Sequence, residues 1–210
     1  MAHQLRPLEP HLTLHVTSHA SGARLCFPTD GTREQFKGII VRLIKTIPVE
    51  IHAFAMMDNH VHLMLTARDE GAVAAFMRRL QSSHAMSLNR AEAYRGQLWL
   101  DRYHTTIVET ESHALHTCLY IDANPWRARV VDHPIDSRWT SHRELVLGNE
   151  ASFVKPHQVL LDLGSGDEWR GRYNEIMAEY LRRGSRSCCT GRRTSGEDPL
   201  AGLRLSTWTM

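Results

Sequence analysis

Between residues 11 and 19 the chain reads HLTLHVTSH. Leu12, Leu14 and Val16 fall on one side of an extended segment, and His11, Thr13, His15 and Thr17 on the other, the pattern of a strand buried on one face. Residues 32–46 place Phe36, Ile39, Ile40 and Leu43 at helical spacing, with Ile47 just beyond, and predict an amphipathic helix. Two apolar runs, 50–57 and 60–67, flank Asp58-Asn59 and predict a hairpin, since both residues tolerate turn dihedrals. A long helix is expected over 72–93, carrying Phe76, Met77, Leu80, Met86 and Leu88. A strand over 104–110 and a helix over 111–124 follow. Pro125 is expected to end that helix, because the residue before proline avoids helical dihedrals.

The order strand, helix, strand, strand, helix, strand, helix predicts an α+β protein. Its plan is a ferredoxin-like antiparallel sheet with helices on one face and an additional helix over 111–124. The organisation expected is one domain over 1–150, a helical extension over 151–183 centred on a helix at 169–183, and a flexible basic tail over 184–210, where Gly, Ser and Arg dominate.

Composition narrows the classes without choosing among them. The 210 residues are 42% hydrophobic, enough for a core. No apolar run approaches a membrane span and the first residues lack a secretory signal, so the expected location is the cytoplasm and no membrane partner is expected. Cys26, Cys118, Cys188 and Cys189 have neither zinc-type spacing nor a disulfide pattern. A net charge of +2 neither identifies nor opposes a nucleic-acid binder.

Candidate chemistry lies in the 14 histidines. His60 and His62, at i and i+2 on a strand, point the same way, with Val61, Leu63 and Leu65 turned to the helices. Two neighbouring imidazoles are half of a metal site, although any half-exposed strand shows polar side chains at that spacing. Tyr120 and Asn124, four apart on a helix, share a face, with His116 one turn earlier. Asn124 could give its oxygen to a divalent ion and Tyr120 could serve as a nucleophile. Their plain alternatives are a helix-terminal asparagine before proline and a core tyrosine with a wet hydroxyl. The other tyrosines are Tyr94, Tyr103, Tyr173 and Tyr180, of which Tyr103 in WLDRYHTT is the strongest rival.

The joint pattern is more specific than its parts. LHVTSHA, VEIHAFAMMDNHVHLML, VAAFMRRLQSSHAMSLN, GQLWLDRYHTTIVE, LYIDANPWRARVV and RWTSHREL, spread over residues 11–147, resemble the single-tyrosine HUH transposases. The likeness is to the IS200-like superfamily, and within it to the transposases associated with repetitive extragenic palindromes. Three details depart from that pattern: Asp58 stands where proline is usual, WTSH replaces Trp-Ser-Ser-Tyr, and SHASGARLCF lacks an asparagine common after the first strand.

The resemblance implies that Tyr120 is the nucleophile and that His60, His62 and Asn124 are metal ligands, for Mg²⁺ or Mn²⁺. It implies cleavage and rejoining of single-stranded DNA with a hairpin through a 5′-phosphotyrosine, with a monomer favoured over a homodimer. A phenol with a pKa near 10 needs help to ionise, from a cation or from a base such as His116. Arg78, Arg79, Arg102, Arg127 and Arg129 could meet DNA phosphates, and Trp99 or Trp126 could stack on an unpaired base. Three other readings compete: a domesticated palindrome-binding protein without cleavage, a metal-dependent binding protein, and a phosphoesterase using HVT at 15–17 and HTT at 104–106. The last leaves HVH without a role.

Overall fold

The computed structural model describes residues 11–149 and 152–189. Strands β1 (Thr13–His19), β2 (Val49–Met57), β3 (His60–Ala67) and β4 (His104–Ile107) form one antiparallel sheet in the order β2-β3-β1-β4. This is the ferredoxin-like arrangement predicted from element order. Leu14, Val16, Val61, Leu63 and Leu65 line one face and are at most 1% exposed. Helices α1 (Asp30–Leu43) and α2 (Ala72–Ala91) cover that face. Lys37 of α1 lies over the Phe54 ring, and Gln81 of α2 donates to Ser18 Oγ at 3.2 Å. Phe36 meets Phe27 and His84 edge-on, each at 5.0 Å between centroids, which fills the space between the two helices.

Helix α1 begins two residues earlier than the hydrophobic period predicts. Thr29 is its N-cap, and its hydroxyl and that of Thr32 each accept from the other's backbone N–H, a reciprocal capping box. The helix also stops earlier, so Ile47 is buried from a turn and not from the helix face. Asp58, at the hairpin turn, forms an ion pair with Arg33 of α1, which gives the residue standing in the usual proline position a contact of its own.

Helix α3 (Glu111–Asp122) lies across the opposite face of the sheet. Cys118 Sγ is 3.5 Å from Met64 Sδ, and Met64 is the cross-strand partner of His15. The predicted single helix to residue 124 is in fact two. Helix α3 breaks at Ala123, and α4 (Asn124–Arg127) starts anew with Pro125 in its first turn. Proline is tolerated there because its missing N–H would have had no helical partner. The residue expected to stop one helix instead opens the next.

The outer edge of β2 is covered by later chain. Met56 N–H donates to Trp139 O at 2.9 Å, Ala55 bridges Thr140, and Lys155 N–H donates to Ile51 O at 2.8 Å. Helices α5 (Ser141–Leu147), α6 (Gln158–Leu161) and α7 (Glu168–Cys189) complete the fold. Helix α7 buries Trp169, Tyr173, Ile176, Met177 and Tyr180. It runs past the predicted end at 183 to Cys189, inside the segment expected to be a tail; residues 190–210 lie outside the described residues. Among the described residues, no helix is long and apolar enough to cross a membrane.

Because Leu63 is fully buried at the centre of the helix-covered face, Leu63→Ala is expected to lower stability by about 2–5 kcal/mol, the transfer loss plus the cavity left behind. Urea denaturation monitored by circular dichroism checks this as a lower midpoint at unchanged slope.

Candidate active site

Cross-strand register, set by pairing of residues 41 or more positions apart, assembles a row of imidazoles. In the β1–β3 pair His19 stands opposite His60, Thr17 opposite His62 and His15 opposite Met64. His19 stacks on His60 at 5.0 Å, His60 is perpendicular to His62 at 5.0 Å, and His62 stacks on His15 at 5.1 Å. The face expected to be open is closed by α3, so His62 is only 6% exposed.

A neighbour fixes the proton on His60. Asn59 Oδ1 lies 2.7 Å from His60 Nδ1 and can only accept, so His60 carries its proton on Nδ1 and presents an unprotonated Nε2. His62 Nδ1 is 2.9 Å from His15 Nε2. In the tautomer in which His62 Nδ1 donates to His15, the His62 Nε2 is likewise bare. Burial depresses the imidazoles: His60 and His15 are each lowered to about 4, and His62, which also faces the other histidines, to about 3. At neutral pH all three are uncharged, the form that binds a metal.

Tyr120, half-buried near the end of α3, brings its ring edge-on to His62 at 5.6 Å and to His15 at 6.0 Å. The Arg127 guanidinium stands 5.2 Å from the Tyr120 ring centroid. Asn124 Nδ2 donates to the carbonyls of Tyr120 at 2.9 Å and Ile121 at 3.4 Å. Its carboxamide therefore caps the end of α3 with its nitrogen, and what it can still offer is the oxygen. No hydrogen bond joins Asn124 to His60 or His62 among the described residues. Among those residues no three His, Cys, Asp or Glu side chains are placed to hold a metal by themselves. His116 packs against Tyr180 of α7 at 6.1 Å, away from the sheet histidines, which leaves the base expected there without support.

The residues predicted to contact DNA divide between the two faces. Arg127 and Arg129 are exposed beyond α3, Arg129 with a left-handed φ of 58°. Trp126 is half-buried and lies close to Gly184 of α7. Arg78 and Arg79 belong to α2, on the far side of the sheet from Tyr120. Arg78 and Arg102 border a cleft of about 580 Å³ floored by Leu98 and Trp99, and neither guanidinium has a partner among the described residues. Trp99 corrects the stacking expectation. It is 6% exposed, donates its indole N–H to Gln81 O at 3.0 Å and packs on Phe36 and His84, so its ring face is used by the core. His15 and Asn59 are the site residues that sequence reasoning left without a role. Their signals were the shared parity of His15 with the other β1 polar residues and the position of Asn59 directly before His60.

The histidine face sets an acid limit on stability. Each depressed imidazole binds its proton more readily in the unfolded chain, so unfolding takes up protons and stability falls as pH drops. The loss begins near the unfolded value of about 6.5 and continues to the folded values of about 4 for His15 and about 3 for His62. Scanning calorimetry between pH 7.5 and 4.5 is expected to give a steadily falling Tm, with a shallower fall in His15→Gln.

Comparisons with known proteins agree with this architecture. No curated protein matches the chain significantly. The solved structure of a REP-associated tyrosine transposase bound to a REP hairpin is 17% identical, with a TM-score of 0.61 over 76% of this chain and 93% of that one, a likeness of fold. A crystal structure assigned as a transposase of Deinococcus radiodurans R1 is 22% identical over 54% of this chain and 91% of that one, at a TM-score of 0.40. A family model for IS200-like transposases matches residues 10–124, more than half of the chain, and the protein therefore belongs to the IS200-like transposase family.

Proposed function

We propose that the protein cuts and rejoins single-stranded DNA bearing a hairpin, with Tyr120 as the nucleophile. The observation that carries this reading is the placement of the Tyr120 ring against His62, on the one sheet face where neutral imidazoles gather. Family membership supports the transposase role, and the hairpin held by the solved relative of the same fold supports the choice of substrate.

In this mechanism the Tyr120 oxygen attacks a backbone phosphorus and the bond to the 3′-oxygen breaks. A 5′-phosphotyrosine and a free 3′-hydroxyl result. The phenolic proton is lost to solvent and the leaving oxygen gains one, so attack by another 3′-hydroxyl reverses the step without an external energy source. Arg127, beside the ring, is suited to a nonbridging phosphate oxygen. His60 with Nε2 bare, His62 in the tautomer that donates from Nδ1, and the Asn124 oxygen would supply a donor set that suits Mn²⁺ or Mg²⁺, with the DNA phosphate as a further ligand. Such an ion would supply charge stabilisation at the phosphate. Asn59 holds the proton on the far nitrogen of His60, and His15 is the hydrogen-bond partner of the far nitrogen of His62.

Arg78, Arg79 and Arg102, lying across the sheet, are placed for DNA flanking the cleaved bond. Arg129 and Trp126 are placed for DNA nearer to it.

Incubation with labelled single-stranded hairpin oligonucleotides and Mn²⁺ is expected to give a covalent adduct that survives a denaturing gel and is lost in Tyr120→Phe and His62→Ala. An adduct that persists in Tyr120→Phe moves the nucleophile elsewhere, with Tyr103 next to be tested. Tight hairpin binding without an adduct makes the protein a palindrome binder that does not cleave. Separately, His15→Ala is expected to weaken Mn²⁺ binding in the DNA complex by about 10–100-fold, read by titration against the electron paramagnetic resonance signal of free Mn²⁺.

A further inference from the structure

Asp122 is two residues beyond Tyr120 on α3, so the two side chains leave the helix about 200° apart. Tyr120 faces the sheet histidines, and Asp122 points the other way into a sealed pocket where it is 0% exposed. A carboxylate there is tolerable only if donors surround it. Tyr173 of α7 donates its hydroxyl to Asp122 Oδ2 at 2.7 Å, and Ser141, the first residue of α5, donates to Oδ1. The Ser141 hydroxyl oxygen also accepts the Phe54 N–H of β2 at 3.0 Å. Tyr173 and Ser141 are each 0% exposed. His142 Nδ1 stands 3.7 Å from Oδ2 without a hydrogen bond, while its Nε2 is 3.2 Å from Asn174 Oδ1 of α7. One buried carboxylate thus joins α3 to the sheet edge through α5 and to the C-terminal helix directly.

We propose that Asp122 is a positioning residue for the nucleophile: through Tyr173, helix α7 fixes the roll of α3 and so holds Tyr120 against His62. The claim rests on the assignment of Tyr120 as the nucleophile, but the geometry it asserts does not. Rotation of α3 about its axis would move Tyr120 off His62. Packing alone resists rolling weakly, whereas a hydrogen bond between rigid, buried groups has a single angular optimum. Asp122 lies within the segment matched by the family model, but its donor Tyr173 lies well beyond it, so the C-terminal extension has a role in the site without touching substrate.

The test uses the full chain with 3-fluorotyrosine placed at position 120, in wild type, Tyr173→Phe, Asp122→Asn and Ile176→Val. Ile176→Val trims a buried residue one turn from Tyr173 on the same helix, keeps the Tyr173 hydroxyl, and controls for lost stability. In DNA-free protein, the fluorine resonance is expected to shift or split in Tyr173→Phe and Asp122→Asn and to stay as in wild type in Ile176→Val. With a labelled hairpin oligonucleotide and Mn²⁺, single-turnover adduct formation is expected to slow about tenfold or more in Tyr173→Phe, with hairpin affinity within twofold of wild type. Its thermal midpoint should fall by roughly 4–8 °C. An unchanged fluorine spectrum in Tyr173→Phe overturns the proposal, as does an equal change in Ile176→Val. If wild type forms no adduct, the cleavage reading fails, and the fluorine spectra alone decide the positioning claim.

Discussion

Closing a histidine-bearing sheet face with a helix is the constraint on which the site depends. An imidazole in water is half protonated near pH 6.5, and a protonated ring cannot bind a metal. Beneath α3 the charged form loses solvent, and His60, His62 and His15 stay neutral well into the acid range. Burial without partners would be costly. The partners are local and few: Asn59 for His60, and His15 for His62. One layer of packing thus sets the charge and the hydrogen-bond partners of these rings together.

The same closure demands that α3 be held accurately, since it is not part of the sheet and could slide. Its start is fixed by Thr110, whose hydroxyl accepts the His113 N–H at 3.1 Å. Its end is fixed by the Asn124 carboxamide and the restart at Pro125. Its inner side packs through Cys118 on Met64, and its outer side is fastened at Asp122. The family-model match ends at residue 124, yet Ser141 and Tyr173, both beyond it, complete the environment of this helix. The ferredoxin-like unit supplies the chemistry and the later chain supplies its rigidity.

Much of this was legible in the sequence because period carries parity. Alternation in β1 and β3 put His15, His60 and His62 opposite the apolar residues, and the Asp58-Asn59 turn bounded the hairpin correctly. Register was not legible: no local signal says that residue 15 lies diagonally across from residue 62, since that depends on which strands neighbour one another. Helix ends were missed where capping overrode period, at Thr29 and at Asn124-Pro125. Trp99 was misread because an indole in a polar loop looks exposed, whereas its N–H finds a backbone carbonyl and its ring completes the core around His84. The arginines of α2 looked adjacent to the site along the chain, but the sheet lies between.

That separation has a consequence for how DNA could be handled. Tyr120 and the histidines occupy one face of the sheet, while Arg78, Arg102 and the cleft occupy the other. Between them runs the β4 edge of the sheet. Leu100 N–H donates to His19 O at 2.9 Å, Ser21 N–H donates to Leu98 O at 2.7 Å, and the short strand β4 is exposed at all four positions. His19, on this edge, is also the cross-strand partner of His60. A flexible single strand can bend across so short an edge and touch both faces, which a stiff duplex, with a persistence length of about 50 nm, does only at considerable elastic cost. Under the proposed function, the two-faced layout itself selects for unpaired DNA at the cleaved bond, and phosphate contacts on the far face would add affinity without altering the chemistry on the near one.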